Sequence, residues 1–390
     1  MESVMKNSFE CVVIGGGIAG STAAYHLAKL GYNVAILEKS DTAHHKVCGE
    51  FLSFEAVSYL KEMGIFLSDQ SPTVRQFQLF LPRSKAGFTF PFAGRGVSRY
   101  KIDEDLLNNA GEKGAKVYRG ICMRNYQSED DGTFTIETNR GNFYAKHLFM
   151  AIGKHDYSKE HKRFGKDNSY IGLKTHIHLG SLSQEYKETT VLFTFPGGYG
   201  GICPVEGGVF NFCFVIKKRI YRTLHGQFNE AIDYLRRSNS RLDFVFQQAE
   251  FIKPVCAVGH IPYGFLRTQN NHHNVFFLGD QRMVIPSFTG DGMAIALSTA
   301  RDCAYEFDRQ QKGIKPEIQN KQRMLNKQMR WGLLGHTILK FHWLVDMCSI
   351  IPGFNPFLIK TIFKKTRICV KENIENDNRA AILENSYSGR

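Results

Sequence analysis

The stretch CVVIGGGIAGSTAAYHLAKLGYNVAILEKS, residues 11–40, restricts what this chain can fold into more than any other part of it. An apolar strand over 11–14 runs into a glycine turn, a helix follows to about Lys29, and a second strand covers 33–37. Gly15, Gly17 and Gly20 complete Gly-x-Gly-x-x-Gly. The first glycine permits the tight turn, the second admits a pyrophosphate close to backbone, and the third lets helix and strand approach. Phosphates would sit at the helix N-terminus, where unpaired amides and the helix dipole favour negative charge. Glu38, 23 residues beyond Gly15, can accept hydrogen bonds from a ribose diol, and Lys39 beside it is included with the binding residues. A carboxylate in that slot leaves no basic group for a 2′-phosphate.

A second glycine and acid cluster lies far downstream. In FLGDQRMVIPSFTGDG, residues 277–292, a strand ends at Gly279-Asp280, and a helix starts at the glycine-rich turn Gly290-Asp291-Gly292-Met293. With this cluster the chain resembles the glutathione-reductase-type FAD proteins, specifically the flavoprotein monooxygenases and geranylgeranyl reductases related to para-hydroxybenzoate hydroxylase. The resemblance implies FAD as cofactor. It assigns Gly279 and Asp280 to the ribityl chain and pyrophosphate, and Gly290, Asp291, Gly292 and Met293 to backbone contacts with the flavin ring. Three further segments resemble that group in the expected order. KVCGEF, with Cys48 and Glu50, would run beside the flavin; SRYKIDEDLL would bring Arg99 to the FAD and use Asp103 to cap or pin a helix; HLFMAIGKHD would complete the first FAD half.

Between the FAD halves, TTVLFTF, GGVFNFCFVI and DFVFQQAEFI alternate in period two, the pattern of a half-covered antiparallel sheet. The expected fold is therefore α/β: a Rossmann-like FAD-binding domain (1–160 and 266–312), an inserted antiparallel β-sheet substrate domain (161–265), a basic helical C-terminal region (313–371) and a polar tail (372–390). The phenylalanines of the insert, Phe193, Phe195, Phe210, Phe212 and Phe214, read first as core packing.

Composition is that of an ordinary folded chain, with 43% hydrophobic and 22% charged residues. The net charge of +13 is concentrated in 313–371, where Lys and Arg far outnumber Glu317 and Asp346. No nucleic-acid module accompanies it, so no nucleic-acid partner is expected. Apolar residues interleaved with Lys340, Lys360, Lys364, Lys365 and Arg367 fit peripheral contact with a membrane surface, while Lys340, Asp346, Pro352 and Pro356 interrupt any spanning helix. The first residues lack a secretory signal pattern, and nine scattered cysteines without Cys-x-x-Cys fit reduced thiols, which together suggest a cytoplasmic protein. His44 and His45 have no third ligand at metal spacing and are read as surface residues; no metal site is expected.

The departures from the family pattern bear on chemistry. The Asp-Gly pair that aromatic hydroxylases carry after the Ala-x-Gly strand is replaced by Gly153-Lys154-His155-Asp156, which argues against direct NADPH-driven hydroxylation. The Tyr-x-Trp-x-Phe-Pro pattern of the reductases keeps Tyr199 and Pro204 but has Gly201 and Cys203 for its aromatics, and the Trp-x-Trp-x-Ile-Pro motif of halogenases is missing. The expected function is an FAD-dependent oxidoreductase acting on a hydrophobic small-molecule substrate of isoprenoid or polyketide type, by C=C reduction or monooxygenation. NAD(P)H or another external donor would supply the electrons. Cys48 and Tyr199 are the candidate catalytic residues. The alternatives are a flavin electron-transfer protein docking to a membrane or partner and a flavin-dependent halogenase.

Overall fold

Strand β1 (Ser8–Ile14) is buried continuously from Cys11 onward, as an unbroken apolar run demands when both faces of a sheet are covered. The computed structural model describes residues 7–82, 84–156, 162–267, 271–272, 274–315, 318–341, 361 and 364–367. The apolar and basic stretch at 342–360 and the polar tail at 372–390 lie outside the described residues.

The first sheet has β1 at its centre. It pairs in parallel with β2 (Val34–Glu38) on one side and with the long β9 (Gly141–Met150) on the other. Beyond β2 the parallel set continues to β6 (Lys116–Arg119), and beyond β9 to Val275–Phe277. The hairpin of β7 (Met123–Ser128) and β8 (Phe134–Thr138) attaches to the first half of β9, antiparallel. Helices Ile18–Lys29, Phe54–Glu62, Arg99–Glu112 and Gly292–Gln311 supply side chains to the core on one face of this sheet, among them Ala23, Leu60, Leu106 and Phe307.

The second sheet has eight strands. Its order is β14 (Glu250–Val258), β10 (Tyr170–His178), β13 (Phe210–Lys217), β12 (Gly198–Pro204), β11 (Thr189–Phe195), β4 (Thr73–Phe80), β5 (Lys85–Gly96) and β3 (Phe51–Leu52). All its pairings are antiparallel except β11 with β4, where Thr189–Phe193 run parallel to Gln76–Phe80. The sheet is thus not confined to 161–265: strands from 51–96, placed by sequence in the nucleotide-binding lobe, extend it. They do so because β11 would otherwise present an open edge, and β4 satisfies its backbone groups. One face packs Phe193, Phe195, Phe210, Phe212 and Phe214 against helices Phe228–Ser238 and Ser240–Phe246, so these rings are core. The opposite face carries Tyr170, Lys174, His176, Cys213, Val215, Tyr199 and Cys203, by strict alternation along β10, β13 and β12.

Candidate functional site

The first glycine turn is shaped by close backbone approach. A Cβ on Gly20 would stand 1.8 Å from the Gly15 carbonyl oxygen, and one on Gly15, whose φ is +102°, would stand 2.6 Å from the Ala151 carbonyl oxygen. Gly17 differs. Its Cβ would meet nothing nearer than Lys46 Nζ at 3.5 Å and Arg99 Nη2 at 3.6 Å, so the protein's own packing does not require a glycine there. Gly17 is the N-cap of helix Ile18–Lys29, caps it with no side chain, and no acidic residue follows in the first turn. The leading amides are left for an anion, with two cations beside them.

Glu38 folds back on this turn. Its carboxylate accepts from the Gly16 amide at 2.7 Å and the Ser40 amide at 2.9 Å. Burial would raise its carboxyl, but Lys46 and the two amides outweigh burial and hold it below the usual range. Lys39, next to it, is exposed, with no hydrogen bond or ion pair among the described residues. A neighbouring position in a strand points the other way.

The distant cluster lands on the same turn. A Cβ on Gly279 would come within 2.8 Å of Ala19 Cβ in the first helix, and the Leu278 amide donates to the Met150 carbonyl at 2.9 Å. Gln281 Nε2 donates to the carbonyls of Gly153 and His155, both at 2.8 Å. Asp280 pairs with Lys154 at 3.1 Å, and its carboxyl is depressed because Lys154, with Arg163 and Arg99, outweighs burial. Arg99 grips Asp103 through Nε at 2.7 Å and Nη2 at 2.8 Å, and Lys46 reaches the same carboxylate at 2.8 Å. Asp103 is therefore a clamp on two cations and not a cap; Ser98 caps helix Arg99–Glu112 by accepting from the Lys101 amide.

At the second glycine turn, Gly290 has φ +70° and the space above Gly292 is open, with nothing within 4 Å of its Cβ position. Met293 points into the core beside the first helix. Asp291 is buried, with Oδ1 on Arg367 at 2.8 Å and Oδ2 without a hydrogen-bond partner among the described residues. Burial lifts its carboxyl to about 6, against the opposing pull of Arg367. Room at Gly17 and Gly292 for close backbone approach, bare amides at the start of the first helix and the cations Lys46 and Arg99 beside them form a site that fits FAD. Gly15, Gly17, Gly20, Glu38 and Arg99 would hold its nucleotide half, and Asp280, Gly290 and Gly292 its flavin half.

Above this cleft lies the second sheet. Tyr199 is buried, and burial pushes its phenol well above the ordinary value. Its Oη accepts from Ser287 Oγ at 3.4 Å, and Ser287 also meets Tyr263 Oη at 2.7 Å. Cys48 is half-buried; its Sγ accepts from the Glu50 amide at 3.5 Å, and its carbonyl accepts from Asn211 at 3.1 Å. Glu50 is fully buried and bonded to Lys174, to His176 at 2.8 Å and to the Arg99 amide at 2.6 Å.

The reading of His45 as a surface residue is corrected here. It is half-buried, its ring meets His176 edge-on at 4.7 Å, and ligand atoms of His45, Glu50 and His176 lie within 4.8 Å of one another. Lys174 and His176 were missed in the sequence. The alternation in YIGLKTHIH, which puts Tyr170, Lys174 and His176 on one face, was the available signal.

Comparison with known proteins bears on the N-terminal signature and on the fold. Residues 10–49 match the family model described as FAD dependent oxidoreductase. Protein FixC of Salmonella typhimurium is 26% identical over 220 residues, which covers 52% of this chain and 50% of FixC. Flavin-dependent halogenase armH1 of Armillaria mellea is 34% identical over 135 residues, 31% of this chain and 25% of that protein. The chain thus spans about half the length of the FixC relatives it matches. Among solved structures, flavin-dependent brominase Bmp2 superposes with a TM-score of 0.76 at 16% identity, over 98% of this chain and 100% of that one. A geranylgeranyl bacteriochlorophyll reductase-like protein from Thermoplasma acidophilum gives 0.74 at 18% identity, over 95% and 98%. At these identities the structural likeness establishes the fold. The N-terminal segment 10–49 thus carries the signature of the FAD dependent oxidoreductase family model, and the chain as a whole has the fold shared by these flavin-dependent structures.

Proposed function

We propose that the chain acts on a hydrophobic small molecule of isoprenoid or polyketide type by reduction of a C=C bond. The observation that carries this reading is the sheet face over the turn 287–290. Phe77, Leu79, Leu192, Val215, Ile261 and Phe288 make it apolar, and the hydroxyls of Tyr199, Tyr263 and Ser287 give it one polar point. Bound FAD would supply the hydride-transfer and dioxygen chemistry. The chain's residues bind, orient and exclude water. A phenol kept protonated by burial, as at Tyr199, can donate a hydrogen bond to a substrate oxygen and fix which carbons face the cofactor. Lys154 in place of an Asp-Gly pair favours an external electron donor other than directly bound NADPH.

Oxygen-dependent chemistry, monooxygenation or halogenation, is the second reading. It is favoured by the likeness of nearly the whole chain to a brominase. A docking role has its own support: Arg323, Lys327, Arg330 and Trp331 line an open depression of about 370 Å³ on helix Ile318–Lys340, and no described helix is long and apolar enough to cross a membrane. The test is to reduce the FAD-loaded protein without oxygen and mix it with polyprenyl or polyketide lipids. Flavin reoxidation by lipid alone, with two hydrogens gained by the lipid, supports reduction. Reoxidation that needs both lipid and oxygen transfers the assignment to oxygenation. Reoxidation indifferent to lipid removes both, and salt-sensitive binding to anionic vesicles without turnover then favours electron transfer.

A further inference from the structure

The charged cluster on the second sheet has a graded exposure. Glu50 is 0% and Lys174 1% exposed, the His176 side chain 12%, and His45, edge-on to His176, is half-buried beside the exposed Tyr100. Glu50 sits at φ +56°, a region that non-glycine residues occupy only when their surroundings hold them there. Its contacts are Lys174 at Oε1, His176 at Oε2 and the Arg99 amide. Cys213 and Cys256 stand opposite Lys174 on the flanking strands, Asn211 stands opposite His176, and Glu206 adds a carboxylate to the surroundings of His45. Burial would raise the Glu50 carboxyl, but His176 and Lys174 outweigh it and keep the group ionised.

A metal ion fits this array poorly. Lys174 already neutralises Glu50, and a divalent ion would bring further positive charge against a buried ammonium. A static ion pair leaves His176 and His45 unexplained. Carboxylate, imidazole and amine can each accept and release a proton, and together they lead from the half-exposed His45 to the buried Lys174.

We propose that His176, Glu50 and Lys174 form a proton path from solvent toward the candidate FAD cleft beneath the second sheet, to which Glu50 is tied through the Arg99 amide. This rests on the redox reading above, because reduction there consumes a proton. The Lys174 ammonium gives its proton to the acceptor. His176 then takes one from the His45 side at Nδ1 and passes its Nε2 proton to Glu50 Oε2. After the carboxyl turns, Glu50 returns a proton to the Lys174 amine. One proton crosses and no electron moves; Glu50 and Lys174 end as they began, and His176, left as its Nδ1–H tautomer, is reset by a ring flip or by returning that proton before the next transfer.

The test uses the FAD-loaded full chain without substrate, so a wrong substrate assignment does not affect it. The cofactor is photoreduced while a pH indicator follows proton uptake. Uptake should keep pace with reduction in the parent protein, slow by roughly a hundredfold in His176→Ala, and recover when imidazole is added. The double variant Glu50→Gln with Lys174→Met removes both buried charges together and should be slow with or without imidazole. Uptake at the parent rate in either variant overturns the proposal, as does slow uptake in His176→Ala that imidazole leaves unchanged.

Discussion

Gly17→Ala and Gly20→Ala should separate two roles that one motif combines. A methyl at residue 20 would lie 1.8 Å from the Gly15 carbonyl oxygen, where real Cβ contacts stay beyond 3.0 Å, so helix and turn must part by more than 1 Å. Overpacking of that kind costs about 1–3 kcal/mol or more, which exceeds the ~1 kcal/mol that alanine gains over glycine in a helix. Gly20→Ala therefore destabilises the apoprotein and weakens FAD binding with it. At residue 17 the methyl meets only side-chain ends at 3.5 Å or more, and the apoprotein should melt as the parent does. The methyl would occupy the space in which a pyrophosphate approaches the helix amides. Losing one charge-assisted hydrogen bond costs about 1.5–3 kcal/mol, so FAD should bind on the order of 10- to 150-fold more weakly. Melting of the apoproteins and titration of FAD fluorescence measure both quantities. A Gly17→Ala apoprotein destabilised as much as Gly20→Ala, or one that binds FAD like the parent, would refute the cradle.

Two buried groups give pH dependences of opposite sign. Asp291 has its folded carboxyl raised to about 6 from 3.8, chiefly by burial, so its contribution is favourable in acid and is lost as pH rises from about 4 to about 6. Above that window the ionised carboxylate costs on the order of 3 kcal/mol, and Asp291→Asn should denature at higher urea than the parent at pH 7.5 but not near pH 4. A less stable variant at pH 7.5 would mean that the Arg367 pair outweighs burial. His26, buried between Tyr25 and Tyr305, has its imidazole pushed down to about 4, mainly by burial and then by Arg301. Its contribution is present above pH 6.5 and fades as pH falls toward 4. His26→Phe should therefore lose less stability than the parent below pH 6.5, by up to about 3 kcal/mol, and an equal pH slope in the two proteins would contradict the buried neutral state.

How much was legible differs from element to element. Residues 11–38 announced strand, turn, helix, strand and the inward Glu38, because hydrophobic period and glycine placement are local properties. The phenylalanine alternation likewise predicted which face of β11 and β13 is core. The partner of β11 was not legible: β4 lies more than 100 residues earlier, and parallel pairing leaves no mark at either strand. The resemblance implied that Asp103 would cap or pin a helix; that its carboxylate holds Arg99 and also Lys46, 57 residues away, was visible only in three dimensions.

The sequence by itself determined the glycine cradle, the carboxylate at the end of β2, the period of each sheet and hence the kind of cofactor the chain can hold. Those features depend on backbone freedom and side-chain alternation within a few residues. Only the tertiary structure decided that Gly279 rests on Ala19, that Glu50 meets Lys174 and His176 more than 120 residues away, and that Asp291 is buried against Arg367. Strand register and helix packing set those meetings, and the free energies that fix register are summed over the whole interface and are not written at any one position.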